Sequence, residues 1–291
     1  MFIIKIIKYF FQALIIYLFF IFIKVIGLKL SRKFFSYLFN KIGPLIKSNH
    51  IINENLNKFI GPYNDDKKIS IKQQMWSNYG KTFVEYLFLK KFRKTNIHIT
   101  IDREDILQKI AKNNKPVIFV SAHLANFELM SMELTRRNIK LATIYRPLNN
   151  FFINPFMEYV RRTHVCKNQI KKGLAGVKSA INYIQNNFSV AIMIDQRVSE
   201  GKRIPFFEHM ALTTTLPSQL AIKYQLDIVP IYISRNKNDK FKMEIFEPIE
   251  VSNVENSELG KLDLALKLNK IIEKMIARDP GQWIWTHNRW K

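Results

Sequence analysis

The chain opens on its most apolar stretch. Residues 9–23 read YFFQALIIYLFFIFI, with Gln12 the one strongly polar position, Lys5 and Lys8 ahead of it and Lys24 behind. With Val25 to Leu28 added and Lys24 snorkelling, the run approaches the ~20 residues that cross a bilayer. No small-x-small cleavage pattern follows, so a removed signal peptide is not expected. Lys29, Arg32, Lys33, Lys41 and Lys47 crowd the C-terminal side, which by charge bias belongs in the cytoplasm; Lys5 and Lys8 weigh against that bias. The same residues fit a second arrangement. Lys5, Lys8 and Gln12 share one helical face at spacings of three and four, as in a helix lying in the interface. A buried core hairpin is the third reading. Phe34, Phe35, Leu38 and Phe39, mixed with Arg32, Lys33 and Lys41, predict a further interfacial helix ending at Gly43-Pro44.

Beyond it, helical and strand patterns alternate. Residues 51–89 read as helix with a break at Gly61-Pro62. Ile97 to Ile101 alternates as a strand, and Asp102 to Lys112 reads as a short helix capped by Asp102. Pro116 to Ser121 (PVIFVS), Leu141 to Tyr145 and Val190 to Ile194 are apolar runs of strand length, followed by Ile228 to Ser234 and Phe241 to Phe246. Helices are expected at 127–137, 156–163, 174–186, 218–224 and 258–278. Apolar strands separated by helices predict an α/β fold, a mostly parallel, buried sheet flanked by helices, behind the N-terminal hydrophobic helix. The simplest division is an anchor over 1–48 and one enzymatic domain over 49–291.

Charge adds a preference for anionic partners. Lys plus Arg number 46 against 23 Asp plus Glu, a formal net charge of +23. Nucleic acid, an anionic membrane surface and an acidic carrier protein all fit that sign; compositional bias toward Lys, Asn and Ile accounts for part of it. No zinc spacing or RNP-like motif supports nucleic acid, and the basic residues are spread along the chain. Cys166 is the single cysteine, which excludes an intramolecular disulfide. His50, His98, His164 and His209 show no metal-ligand spacing.

The chemistry sits after PVIFVS. In a parallel sheet, ligands collect at the C-terminal ends of the strands, and there the chain reads Ala122-His123-Leu124-Ala125-Asn126-Phe127-Glu128. If the turn folds back, the Glu128 carboxylate fixes one imidazole nitrogen of His123. The other nitrogen is then free to take a proton from an alcohol. Alone, a His followed by an acid is a weak signal. Two neighbours strengthen it: Tyr145-Arg146-Pro147 ends one predicted strand and Asp195-Gln196-Arg197 another.

The residues HLANFE (123–128), YRPLNN (145–150), IDQ (194–196), IPFF (204–207), TTTLPSQLA (213–221) and RDPGQWIWTHNRWK (278–291) occur in order. Together they resemble the bacterial lipid A biosynthesis acyltransferases, the late lauroyl and myristoyl transferases. Two stretches depart from that pattern: Glu208-His209 stands where a glycine is expected, and residues 161–173 match loosely. The resemblance implies a glycerolipid-acyltransferase-like fold, an acyl chain delivered on acyl carrier protein, and a hydroxyl of a lipid A precursor as acceptor. It implies the inner membrane, with the enzymatic domain on the cytoplasmic face, and anionic membrane lipids as surroundings. No metal or bound cofactor is implied. His123 would be the general base and Glu128 its orienter. Arg146, and less strongly Arg161, would bind phosphate or a developing oxyanion, and Asp195 and Gln196 would line the pocket. Against these stand plain structural roles: Arg161 and Arg162 as a solvated helix face, Asp195 as a turn cap, and Trp283, Trp285, His287, Arg289 and Trp290 as C-terminal packing. Two alternatives stay open, a glycerophospholipid acyltransferase and an inactive membrane-associated binding protein.

Overall fold

The computed structural model describes residues 2–291. Helix α1 (Phe2–Ile46) is interrupted at Gly27, whose φ of 77° places it where side-chain-bearing residues rarely go. The two arms fold onto each other. Ser31 Oγ donates to the Ile23 carbonyl at 3.2 Å, and Phe19 meets Phe35, and Phe22 meets Phe34, with ring centroids 5.3 Å apart in each pair. The second arm runs through Pro44 to Ile46, past the stop expected at Gly43. After α2 (Asn49–Ile60), helix α3 (Asp65–Glu85) packs along that arm. Gly80 lies at the contact: a Cβ there would sit 2.1 Å from the Phe35 carbonyl oxygen, so the backbones can approach only at a glycine.

The rest of the chain builds one large sheet and one hairpin. In chain order the strands are β1 (Ile99–Asp102), β2 (Ile118–Ser121), β3 (Leu141–Tyr145), β4 (Asn168–Lys171), β5 (Ser189–Met193), β6 (Lys202–Phe206), β7 (His209–Thr213), β8 (Ile228–Arg235) and β9 (Phe241–Ile245). Seven of them form a sheet ordered β1-β9-β8-β2-β5-β3-β4, parallel at every pairing except β8 with β9. The mostly parallel α/β sheet expected from the sequence is therefore present. The interleaving helices are α4 (Leu89–Lys94), α5 (Glu104–Asn113), α6 (Glu128–Arg136), α7 (Asn154–His164), α8 (Leu174–Gln185), α9 (Leu216–Tyr224) and α10 (Glu258–Arg278).

Because strand side chains alternate between faces, β2 feeds two cores. Ile118 and Val120 pack with residues of α8, α9 and α10, while Phe119 packs with residues of α4, α5 and α6. Both faces are covered, which is why PVIFVS reads as an unbroken apolar run. Asp102 does not cap a helix; it ends β1 and pairs with Lys242 at 3.1 Å, and α5 begins at Glu104 after Arg103 in a left-handed conformation. Strand β4 and the β6–β7 hairpin escape the sequence pattern, because Asn168-Gln169 is polar and Pro205 interrupts the β6 run.

The hairpin explains the missing glycine. Phe206 pairs with His209, leaving a two-residue loop of Phe207 (φ 47°) and Glu208 (φ 63°). Two-residue loops with both φ positive match the strand twist and favour Asn-Gly or Gly-Gly. The exposed Glu208 therefore carries backbone strain that glycine would not. Glu208→Gly is expected to stabilise the protein by about 1 kcal/mol, read as a higher midpoint in thermal unfolding; an unchanged or lower midpoint would argue that the turn is unstrained.

Candidate active site

Strand register brings the site together. In the β2–β5 ladder Ser121 stands opposite Met193, and the Ile194 amide donates to the Ser121 carbonyl at 3.0 Å. Continuing two residues past each strand end sets His123 opposite Asp195. His123 Nδ1 lies 2.8 Å from Asp195 Oδ1, and the His123 amide donates to Oδ2 at 3.0 Å. The indole Nε1 of Trp283 donates to the same Oδ2 at 2.7 Å. Asp195 is fully buried while the imidazole is partly open to a cavity. With Nδ1 donating to this carboxylate, Nε2 is left as the acceptor, with no hydrogen-bond partner among the described residues.

Glu128 takes a different place from the one expected. Its Oε1 accepts from the Tyr86 hydroxyl at 2.8 Å and from Arg161 Nε at 2.8 Å, and it makes no hydrogen bond to His123. The reason is local. Ala125 adopts φ 48°, and Glu128 opens α6 turned toward Tyr86, just past α3, and Arg161 of α7, so the five-residue spacing does not return its carboxylate to the imidazole. Phe127 instead lies edge-on to the His123 ring, centroids 4.6 Å apart. Asp195 is corrected likewise: it stands behind His123 and does not line the cavity. Arg161 is not part of a solvated face. It turns inward, one-tenth exposed, and its Nη1 is buried without a partner, while Arg162 points to solvent.

The turn that carries His123 is braced from both ends of the chain. The Ala125 amide donates to the Gln282 carbonyl at 3.1 Å, and the Ala125 carbonyl accepts from Asn78 and Thr82 of α3. Asn126 donates to Glu85 at 2.9 Å. Glu85 is fully buried and also holds Arg32 of α1 and Arg235 of β8. Two guanidiniums offset the desolvation of this carboxylate.

The cavity has a volume of about 610 Å³ and is lined by His123, Glu128, Arg146, Arg161 and Gln196 of the expected set. Phe127, Ile144, Leu174, Val177, Ile192 and Leu216 supply apolar wall. Lys172 joins them unannounced. Tyr145 stands opposite Lys171 in the β3–β4 ladder, so Arg146 and Lys172 lie side by side just beyond the strand ends. Burial and then the Arg146 charge hold the Lys172 ammonium below its usual range. Neither residue forms an ion pair among the described residues; Glu200 lines the same cavity and its charge partly counters that of Lys172, and the pair still leaves the rim cationic. Tyr86, Lys172 and Trp283 were missed as site residues. Only Trp283 left a trace, in the WIW cluster.

His287 and Arg289 hold structure. His287 Nε2 accepts from the Arg197 amide at 2.9 Å, and burial lowers its pKa to about 4, so it stays a neutral acceptor. Arg289 is fully buried and donates to the Leu212 carbonyl and Thr213 Oγ1, both at 2.7 Å.

A parallel α/β sheet with an imidazole–carboxylate pair at its strand ends, opening on an apolar cavity with a cationic rim, suits an acyltransferase that handles lipids. The family comparison places the protein more narrowly: the model of the bacterial lipid A biosynthesis acyltransferases matches residues 4–291, and the chain belongs to that family. A lipid A biosynthesis palmitoleoyltransferase of Escherichia coli (strain K12) is 28% identical over 194 residues, covering 64% of this chain and 60% of the relative. A lipid A biosynthesis acyltransferase 2 of Shigella flexneri is 22% identical over 186 residues, covering 62% of this chain and 57% of the relative. The chain thus aligns with about three-fifths of the length of these curated relatives. Among solved structures, the 1-acyl-sn-glycerophosphate (LPA) acyltransferase PlsC from Thermotoga maritima is similar at 13% identity and a TM-score of 0.40, over 89% of this chain and 100% of that one.

Asp195 offers a direct test of the geometry. Burial, the largest single influence, raises its carboxyl; the His123 charge, the imidazole and amide hydrogen bonds and Trp283 together outweigh it and bring the pKa from 3.8 to about 2. A folded-state pKa below the unfolded one stabilises the fold above about pH 4, and the contribution is lost as pH falls toward about 2. Asp195→Asn is therefore expected to flatten stability over that interval, measured by thermal unfolding in detergent across pH. An acid limb as steep as the parent's would contradict the assignment.

Proposed function

We propose that this protein transfers a fatty acyl group from acyl carrier protein to a hydroxyl of a lipid A precursor, with His123 as general base and Asp195, in place of Glu128, as its orienter. The observation that carries this reading is the 2.8 Å contact of His123 Nδ1 with fully buried Asp195 at the wall of the cavity. Asp195 fixes the tautomer that donates from Nδ1, so Nε2 accepts the proton of the acceptor hydroxyl. The oxygen attacks the thioester carbonyl. A tetrahedral oxyanion forms, collapses with cleavage of the carbon–sulfur bond, and the departing thiolate takes the proton back from His123. Arg161, which lines the cavity and is held in place by Glu128 and Tyr86, is the donor assigned here to that oxyanion. Glu128 thereby serves the reaction through Arg161.

Family membership supports the lipid A precursor as acceptor, and the open cationic pair Arg146 and Lys172 suits the phosphate such a lipid carries. Net charge of +23 suits an acidic carrier protein and anionic membrane lipids. No step requires a metal or bound cofactor. The apolar N-terminal helix supports attachment to a membrane, and the inner membrane with the enzymatic domain on its cytoplasmic face is part of the same proposal.

The test is to incubate membranes holding the protein with acyl carrier protein loaded with lauroyl, myristoyl or palmitoyl chains and a sugar-bearing tetra-acylated precursor. Mass spectrometry should show a gain of one acyl chain. His123→Ala should lower turnover by about 10²–10⁴-fold and Arg161→Met by about 10²–10³-fold. Full activity of His123→Ala would exclude it as the base. A folded parent protein inert toward this acceptor but active on a lysophospholipid would move the assignment to glycerophospholipids.

A further inference from the structure

A second cavity lies at the opposite ends of the strands. It has a volume of about 350 Å³, and Arg93, Lys140, Leu141, Arg162, Cys166 and Lys167 are among its lining residues. Leu141 opens β3, and Cys166 and Lys167 come just before β4. His123 and Arg146 stand beyond the C-terminal strand ends, so the length of β3 separates the two cavities. From Leu141 to Tyr145 that is about 13 Å at ~3.3 Å per residue. Helix α7 reaches both: Arg161 turns into the first cavity and Arg162, the next residue, lines the second.

The charge of this second cavity has one sign. Arg93, Lys140, Arg162 and Lys167 are cationic, no Asp or Glu is among the lining residues, and none of the four cations forms an ion pair among the described residues. The carboxylates of α6 and α7 are engaged elsewhere: Glu128 with Arg161, Glu133 with Arg136 and Arg137, and Glu158 with Tyr145, Asn154 and, at 3.5 Å, Lys171. The C-terminal ends of α6 and α7 also meet here, each worth about half a negative charge. Two such ends offset about one of the four cations, and the cavity stays strongly positive. His164, at the end of α7, lies in the same field. Burial first, then Lys90, Arg93 and Lys24, hold its imidazole below the ordinary pKa, against a backbone hydrogen bond at Thr163.

Arg93 gives the site a shape as well as a sign. Its Nη1 donates to Thr135 Oγ1 at 3.1 Å and to the His164 and Val165 carbonyls at 3.3 and 3.4 Å. The guanidinium is thus pinned by one nitrogen. Its Nε and Nη2 make no hydrogen bond among the described residues, and neither is sealed from solvent. Together they form one edge of the planar fork, which matches two oxygens of a phosphate. Three further cations suit a multiply charged anion better than a single carboxylate. Ile139, Leu141, Val165 and Phe188 supply an apolar wall beside them. Small-molecule sites combine such a wall with a few fixed polar groups, and begin at about 300 Å³. We propose that this cavity binds the phosphate group of a small ester, at a site separate from the one that holds His123. Arg93 takes two of the phosphate oxygens, Lys140, Arg162 and Lys167 neutralise the rest, and the apolar wall receives the carbon part. A free phosphate ester and the headgroup of an anionic phospholipid share this chemistry. The proposal does not depend on the acyl-transfer reading.

Isothermal titration calorimetry of the full-length protein in a neutral detergent, at constant ionic strength, tests it. The probes are glycerol 3-phosphate and a short-chain phosphatidylglycerol. Arg146 and Lys172 are cationic too, so every titration is run in an Arg146→Gln/Lys172→Gln background. The expected result is one saturable event with at least one probe, weakened about tenfold or more when Lys140→Gln and Arg162→Gln are added. Both side chains are exposed and hold no hydrogen bond among the described residues, so their replacement removes no contact of the fold. Saturation by glycerol 3-phosphate would assign the site to free phosphate esters, and saturation by the phospholipid alone to a headgroup. No saturable binding of either probe, or binding that the added substitutions leave unchanged, would overturn the proposal.

Discussion

Everything at this site depends on a carboxylate that has been taken fully out of water and must be paired. Asp195 satisfies one oxygen with His123 Nδ1 and the other with the His123 amide and the Trp283 indole. A buried carboxylate with three donors has little freedom, and it passes that rigidity to the imidazole it holds. The alignment is set by the β2–β5 register. A slip of one residue would turn either side chain to the opposite face of the sheet. The site is therefore as well fixed as the central ladder of the fold, and the last turn of the chain, through Trp283, is part of it.

Around that fixed pair, the charges are partitioned by burial. Inside, each carboxylate is matched: Glu128 by Arg161 and Tyr86, Glu85 by Arg32 and Arg235. At the rim, Arg146 and Lys172 stand together with no ion-pair partner among the described residues, and Glu200 of the same cavity counters Lys172 only in part. The difference separates groups that build the site from groups available to a ligand. Glu85 also ties the hairpin to the turn bearing His123, since Arg32 reaches it from α1 and Asn126 reaches it from the turn. The N-terminal hairpin and the candidate active site thus share one buried ionic cluster. Its desolvation cost is offset only when all partners are in place.

How much of this was legible in the sequence follows from the range of each interaction. Alternating apolar strands and helices announced the parallel sheet, because a strand buried on both faces must be apolar throughout. Helix α10 was readable to its ends, with Ser257 capping the Gly260 amide. Strand β4 was not, since Asn168 and Gln169 are held by edge contacts in the fold and not by apolar pattern. The glycine missing at position 208 hid a tight turn, because the turn tolerates two non-glycine residues in left-handed conformations.

The sequence by itself determined the fold class, the strand end at which His123 stands, and the apolar character of the first helix. Each of these is written in local periodicity or in a contiguous motif. Only the tertiary structure decided which acid holds the imidazole. Glu128 is five residues from His123 and Asp195 is 72, yet the ladder makes the distant one the neighbour. It likewise turned Arg161 inward and Arg162 outward, set Lys172 beside Arg146, and laid the apolar helix along the domain. The physical reason is the same in each case: a side chain's partner is chosen by sheet register and helix packing, which join segments that the linear chain keeps apart.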